Sequence, residues 1–165
     1  MAAQAGQWSD RNLRVLFVLS QEPLFVAGKS SFVDDMIRTC GARNVIEQVA
    51  SISRASPWPQ VSREALVATD PQLIIFAETR SLGQATVPDM LTELRGTPAW
   101  REVAAVRAGQ VCTINDDLVT IPGPRLIDGL EEICRLVGAA RPRLATSQAP
   151  ATPPAPPGQK GCCGE

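Results

Sequence analysis

Four stretches carry residue types and spacings suited to chemistry or contact. Gly28-Lys29-Ser30 follows an apolar run and opens a helix, which is where a phosphate-binding loop would sit. The full pattern needs a glycine five residues earlier, and Pro23 stands there. Without that glycine the backbone loses its close approach to a phosphate, so an ordinary helix start is the better reading. Asp116-Asp117 offers two carboxylates. Adjacent loop residues rarely aim at one point, and no further ligands are evident, so a solvated or ligand-facing loop is favoured over a metal pair. Cys162-Cys163 suit a soft metal or thiol chemistry, or are a terminal accident. The fourth stretch runs from Ser56 to Glu64, where Pro57 and Pro59 frame Trp58. Proline fixes φ and lacks a donor, so this is neither helix interior nor central strand. Ser62 then caps a helix with Glu64 in its first turn. A stiff loop presenting an indole beside a carboxylate suits a contact surface; a lid over the core is the alternative.

Composition narrows the chemistry further. The 165 residues contain no histidine and no tyrosine. The commonest general base and metal ligand is thus missing, and no nucleophile stands beside an evident base. An enzyme is not expected. The net charge of −1 supplies no basic excess for nucleic acid. Of five cysteines, Cys40, Cys112 and Cys134 fall in apolar periodic segments and are expected as buried thiols. No stretch reaches the ~18 consecutive apolar residues of a membrane span.

The elements that must position these groups alternate in type. Leu13–Leu19 is a nearly continuous apolar run, as in a strand buried on both faces. A loop over 20–28 leads to a helix over about 30–40, with Ser31 and Asp34 resembling a capping box and Gly41 as terminator. A short strand is expected at 44–46, a helix over about 63–68 and a second buried strand over 73–77. A helix around 88–96, a turn carrying Trp100, and a strand over 111–114 follow. The last helix is expected over about 125–137, its apolar face formed by Leu126, Ile127, Leu130, Ile133, Cys134 and Val137 and its end at Gly138. Beyond it, prolines among Ala, Thr, Ser and Gln predict a disordered tail. This alternation predicts an α/β fold with a mostly parallel sheet, whose ligands sit beyond the carboxyl ends of the strands.

In their order, several segments carry a resemblance. They are Pro23 to Lys29, Cys40 to Ile46, Pro57 to Leu66, Asp70 to Ile75, and Asp117 with Pro124-Arg125. Together they resemble the C-terminal lobe of the vitamin B12-binding proteins of bacterial ABC importers. More broadly this is the iron-siderophore, haem and cobalamin class of substrate-binding proteins, in which one long helix joins two α/β lobes. The run Pro-Trp-Pro-Gln-Val-Ser-Arg-Glu is the most specific piece. The resemblance implies a three-layer, Rossmann-like lobe over 13–138; residues 1–12 are expected as a remnant of the inter-lobe helix or as disordered, and 139–165 as a disordered Pro-rich tail ending in Cys162-Cys163.

It also implies roles. Phe25 and Trp58 would pack against a flat corrin-like ligand, with polar contacts from Asp117 and Arg125. Glu64 would dock on arginines of an ABC permease in the membrane. The ligand would be cobalamin or a related tetrapyrrole or siderophore, with no cofactor. Two departures qualify this. The N-terminal lobe is absent, so a separate lobe is an expected partner and the chain reads as a truncated, split or repurposed form. Leu118 follows Asp117 where the family tends to carry an aromatic. A repurposed lobe handling metal or redox chemistry through Cys162 and Cys163 is the alternative function. A periplasmic or cell-surface location follows if the family role holds. The start of the chain, with no charged and apolar leader, predicts a cytoplasmic one.

Overall fold

The apolar run near the start becomes the centre of a sheet. In the computed structural model, which describes residues 13–49, 56–78, 87–119, 121 and 123–147, strand β1 spans Arg14–Gln21. Val15, Leu16, Phe17 and Val18 are all fully buried. Side chains alternate across a strand, so a run without polar residues needs cover on both faces. Here it has that cover. β4 (Leu73–Glu78) lies parallel to β1, and β5 (Val111–Asn115) lies parallel to β4. The other edge of β1 is shared. β3 (Arg43–Asn44) pairs with its first residues in parallel, and β2 (Leu24–Val26) pairs with its last residues antiparallel.

Two separate cores flank the sheet. On one face Val15, Phe17, Leu73, Ile75 and Ile114 pack against α1 (Phe32–Thr39) and α6 (Leu126–Ser147), through Val33, Ile37, Ile133 and Val137. On the other, Leu16, Val18, Ile74, Phe76 and Val111 meet four helices. These are α2 (Arg63–Thr69), α3 (Val87–Gly96), α4 (Pro98–Arg101) and α5 (Ala104–Arg107). They contribute Leu66, Met90, Leu94, Trp100 and Val106. The expected three-layer α/β lobe with a mostly parallel sheet is therefore the one observed.

The structure departs from the sequence expectations at five places. The segment expected as a plain loop after β1 contains β2, because the chain reverses tightly at Glu22-Pro23 and returns along β1. At 44–46 only the first residue belongs to a strand; a 3₁₀ turn (Val45–Gln48) follows, with the Asn44 side chain accepting from the N–H of Ile46. Trp100 lies in α4 and is buried. The last helix does not stop at Gly138 but continues to Ser147, with Ala140 buried against the first core. Ile127 leaves that helix's apolar face and is 66% exposed. Leu126, Leu130, Ile133 and Val137 follow one helical stripe, and Ile127 sits a hundred-degree step off it.

The cysteines correct a further expectation. Cys40 and Cys134 are not free thiols but a disulfide joining the C-cap of α1 to α6, with Cα atoms 4.9 Å apart. Arg141 on α6 adds to the same junction, donating to the carbonyls of Cys40 and Gly41. Cys112, on β5, is half-buried.

Candidate functional site

The tryptophan loop is held in place by β2. The N–H of Val26 donates to the carbonyl of Pro59 (3.2 Å), and Gly28 N–H to that of Pro57 (2.8 Å). Val61 N–H returns a bond to the carbonyl of Leu24 (3.1 Å). Phe25 and Gln60 form an antiparallel bridge. The loop thus lies along β2 as an irregular edge strand. The two prolines need no donors there, since it is their carbonyls that face β2.

Gly28 is what lets the two segments meet. A Cβ at this position would fall 2.6 Å from the Ser56 carbonyl oxygen and 2.7 Å from Cδ of Pro59. This settles the role of the Gly28-Lys29-Ser30 stretch. The Gly28 N–H is committed to the tryptophan loop, and Ser31 caps α1, its Oγ accepting from Asp34 N–H at 3.2 Å and donating to the Gly28 carbonyl at 2.7 Å.

Trp58 is half-buried. Its ring rests on Phe17 (centroids 6.4 Å apart) and meets Phe32 edge-on (6.2 Å). Lid and surface are therefore not alternatives: one side of the indole closes the first core, and the remainder faces outward. Edge-on aromatic pairs of this kind add about 0.5–1.5 kcal/mol beyond area burial, which fixes the ring orientation. Phe25 is also half-exposed and points away from the face that Leu24 and Val26 bury. It lies opposite Ser20, at the carboxyl end of β1.

At the same edge of the sheet, β5 ends in a 3₁₀ turn (Asp116–Leu118). Asn115 Oδ1 accepts from the N–H of Asp117 at 3.0 Å, so the turn is capped by the last residue of β5. α6 approaches it closely: a Cβ at Gly129 would lie 2.4 Å from the Leu118 carbonyl oxygen. Asp117 and Arg125, both exposed, line one open concavity of about 580 Å³ with Ile121, Gly123 and Pro124. Among the described residues its walls are mainly apolar, with one carboxylate and one guanidinium. Ile121 is 61% exposed. Asp116 is half-buried and does not line the concavity, so the two aspartates do not converge. Among the described residues no group of three or more His, Cys, Asp or Glu is placed to hold a metal ion.

Phe25 on β2 and Asp117 beyond β5 are separated by three strand spacings, roughly 14 Å. The aromatic pair and the polar pair are thus two patches on one broad edge rather than one pocket. Glu64 stands apart on the first turn of α2, exposed, behind its cap Ser62, whose Oγ accepts from Ala65 N–H. Its neighbour Arg63 is paired with Glu22 at 2.8 Å. Cys162 and Cys163 lie outside the described residues, as do the expected inter-lobe remnant at 1–12 and the tail beyond 147.

One buried ionisable group lies beneath the tryptophan loop. Burial pushes the Asp34 carboxyl above the ordinary carboxylate range, against the lowering effects of Asn44 and Arg38. On the outer surface of α6, the hydrogen bonds from Arg135 hold the Glu132 carboxyl below that range.

Comparison with known proteins agrees with this fold. Residues 1–118 match the sequence profile of the periplasmic binding protein family. The vitamin B12-binding protein of Pectobacterium carotovorum is 30% identical over 137 residues, 83% of this chain and 43% of that protein. An ABC transporter substrate-binding lipoprotein of Bacillus subtilis is 29% identical, over 78% of this chain and 36% of its own length. The crystal structure of the periplasmic vitamin B12-binding protein of Vibrio cholerae superposes with a TM-score of 0.59 at 25% identity. It is matched over 82% of this chain and 48% of that one. The chain spans less than half the length of each of these relatives. Their periplasmic or lipoprotein character, together with the Cys40–Cys134 disulfide, leaves the cytoplasmic expectation without support, because disulfides persist in oxidising compartments. The chain belongs to the periplasmic binding protein family, where its relatives include vitamin B12-binding proteins.

Proposed function

We propose that the chain is the C-terminal lobe of a non-enzymatic substrate-binding protein of an ABC importer, working in the periplasm or at the cell surface. It holds cobalamin or a related metal chelate against Phe25 and Trp58. Asp117 and Arg125 contribute polar contacts at the rim, and Glu64 docks on arginines of the permease. The observation that carries this reading is the half-exposed indole of Trp58, braced from behind by Phe17 and Phe32, on the same edge as the Asp117–Arg125 concavity. Two patches some three strands apart suit a broad, flat ligand with an apolar face and polar edges. A compact ligand would touch only one of them. An exposed carboxylate such as Glu64 gains most from a bidentate arginine partner.

A titration of the chain with cyanocobalamin, followed by tryptophan fluorescence, tests this. Saturable quenching is expected, weakened at least tenfold in Trp58→Ala. Trp100→Phe should bind unchanged, since Trp100 is buried in the other core. Absence of binding by the chain, both alone and with an added N-terminal lobe, would overturn the reading. Glu64→Gln should bind cobalamin normally and lose affinity for the permease; unaltered permease binding by that variant would remove Glu64 from the docking role.

A further inference from the structure

Beneath the platform lies a polar group that the proposed contacts do not use. Asp34 is fully buried and Asn44 is 1% exposed. The Asn44 amide nitrogen donates to Asp34 Oδ1 and to the carbonyl of Ala27, each at 2.9 Å. Its Oδ1 accepts from Ile46 N–H at 3.2 Å. Both amide protons and the amide oxygen are therefore spent, one on each of three segments. Ala27 lies between Val26 and Gly28, the two residues whose N–H groups hold the carbonyls of Pro59 and Pro57. The second oxygen of Asp34 is 3.0 Å from Nε of Arg38.

Polar groups this deep are costly unless each serves a bond that an apolar side chain cannot make. A capping box would have turned the residue at 34 back to the N–H of Ser31. Here that N–H goes to the Gly28 carbonyl instead, and Asp34 reaches across to Asn44. The carboxylate orients the amide, and the amide clamps the Ala27 carbonyl.

We propose that Asn44 and Asp34 are positioning residues for the ligand platform: the pair fixes the Val26–Gly28 backbone and, through it, the height and tilt of the Trp58 loop. The inference rests on the proposed ligand role of Trp58, but the clamp itself is measured without ligand. Asn44→Leu, with Asn44→Ala as the milder variant, removes the bond to Ala27. Asp34→Asn keeps an acceptor for Asn44 and serves as the conservative rescue.

Amide hydrogen exchange reads the result. In the Asn44 variants, exchange at the N–H groups of Val26 and Gly28 should rise at least tenfold. The N–H groups of Ile74 in β4 and Ala105 in α5, bonded to the carbonyls of Gln110 and Pro71, should stay within twofold of wild type. Asp34→Asn should retain most of the protection at Val26 and Gly28. Equal acceleration at all four amides would mean a purely structural pair, and unchanged exchange at Val26 and Gly28 would mean no clamp; either overturns the proposal. Cyanocobalamin affinity of the Asn44 variants, expected to fall about tenfold, is a separate arm. If the wild-type chain fails to bind cobalamin, the ligand reading fails, while the exchange data still decide the clamp.

Discussion

Gly28 is the residue on which the platform closes. Its missing side chain lets the Pro57–Pro59 backbone lie against β2, and the atoms that a Cβ would strike are a carbonyl oxygen and a proline ring. Neither can swing aside. Gly28→Ala should therefore cost about 1–3 kcal/mol, the usual range for overpacking a filled site, and should displace Trp58; a denaturant midpoint and the fluorescence maximum check the two effects. Asp34 supplies a pH effect. Its pKa is higher in the fold than in the unfolded chain, so the folded protein holds the proton more tightly. Its contribution thus favours folding at the acid end and declines as pH rises from the ordinary carboxylate range through the raised value. Subtracting the stability curve of Asp34→Asn from that of wild type should reveal this decline, and a flat difference would contradict it. At this scale the sequence was informative where the residue itself forbids alternatives. Pro57 and Pro59 exclude helix, but whether Trp58 between them is a contact surface or a lid stays open in the sequence, and the half-buried ring is both. The buried purpose of Asp34 was not legible, because its partner Asn44 lies on another segment, and a capping-box pattern reads the same whichever group the carboxylate finally meets.

At the scale of elements, α1 and α6 form the wall that backs the platform, and a disulfide ties them across 94 residues of chain. Closing so long a loop restricts the unfolded chain, and removing such a bond typically costs about 2–5 kcal/mol. Paired replacement of Cys40 and Cys134 by serine should lower stability by that amount, and reductant should mimic it in the wild type. If reductant leaves the unfolding midpoint unchanged, the bond is not contributing. Each helix was visible in the sequence through its own periodicity, but their junction was not. A cysteine on an apolar stripe looks the same as a free thiol or as half of a bridge until the other helix is in place. β2 was missed for a related reason: three residues carry too little pattern, and its partners, β1 and the tryptophan loop, lie on opposite sides of it in sequence. The length of α6 was missed because Gly138 and Pro142 both signal an end, whereas burial of Ala140 and the bonds from Arg141 to the end of α1 carry the helix on.

For the molecule as a whole, the parallel core of the sheet sets what each edge can do. β1, β4 and β5 all point their carboxyl ends the same way, so Phe25 and the Asp117–Arg125 concavity reach one edge without any contact between them. That much follows from alternating strands and helices, which the sequence shows plainly. Leu16 is central to the opposite face, and Leu16→Ala should cost about 2–5 kcal/mol while leaving cobalamin affinity of the folded fraction unchanged. On the proposed function, the ligand is received by the edge at the strands' carboxyl ends and by no other surface. Amide and indole chemical-shift mapping of the labelled chain with cyanocobalamin, whose cobalt is diamagnetic, tests it most directly. Shifts are expected at Phe25, Gly28, the Trp58 indole, Asp117 and Arg125, with α2 to α5 undisturbed. Shifts confined to the polar hollow around Glu22, Arg63, Glu93 and Trp100, or none at saturating ligand, would contradict it.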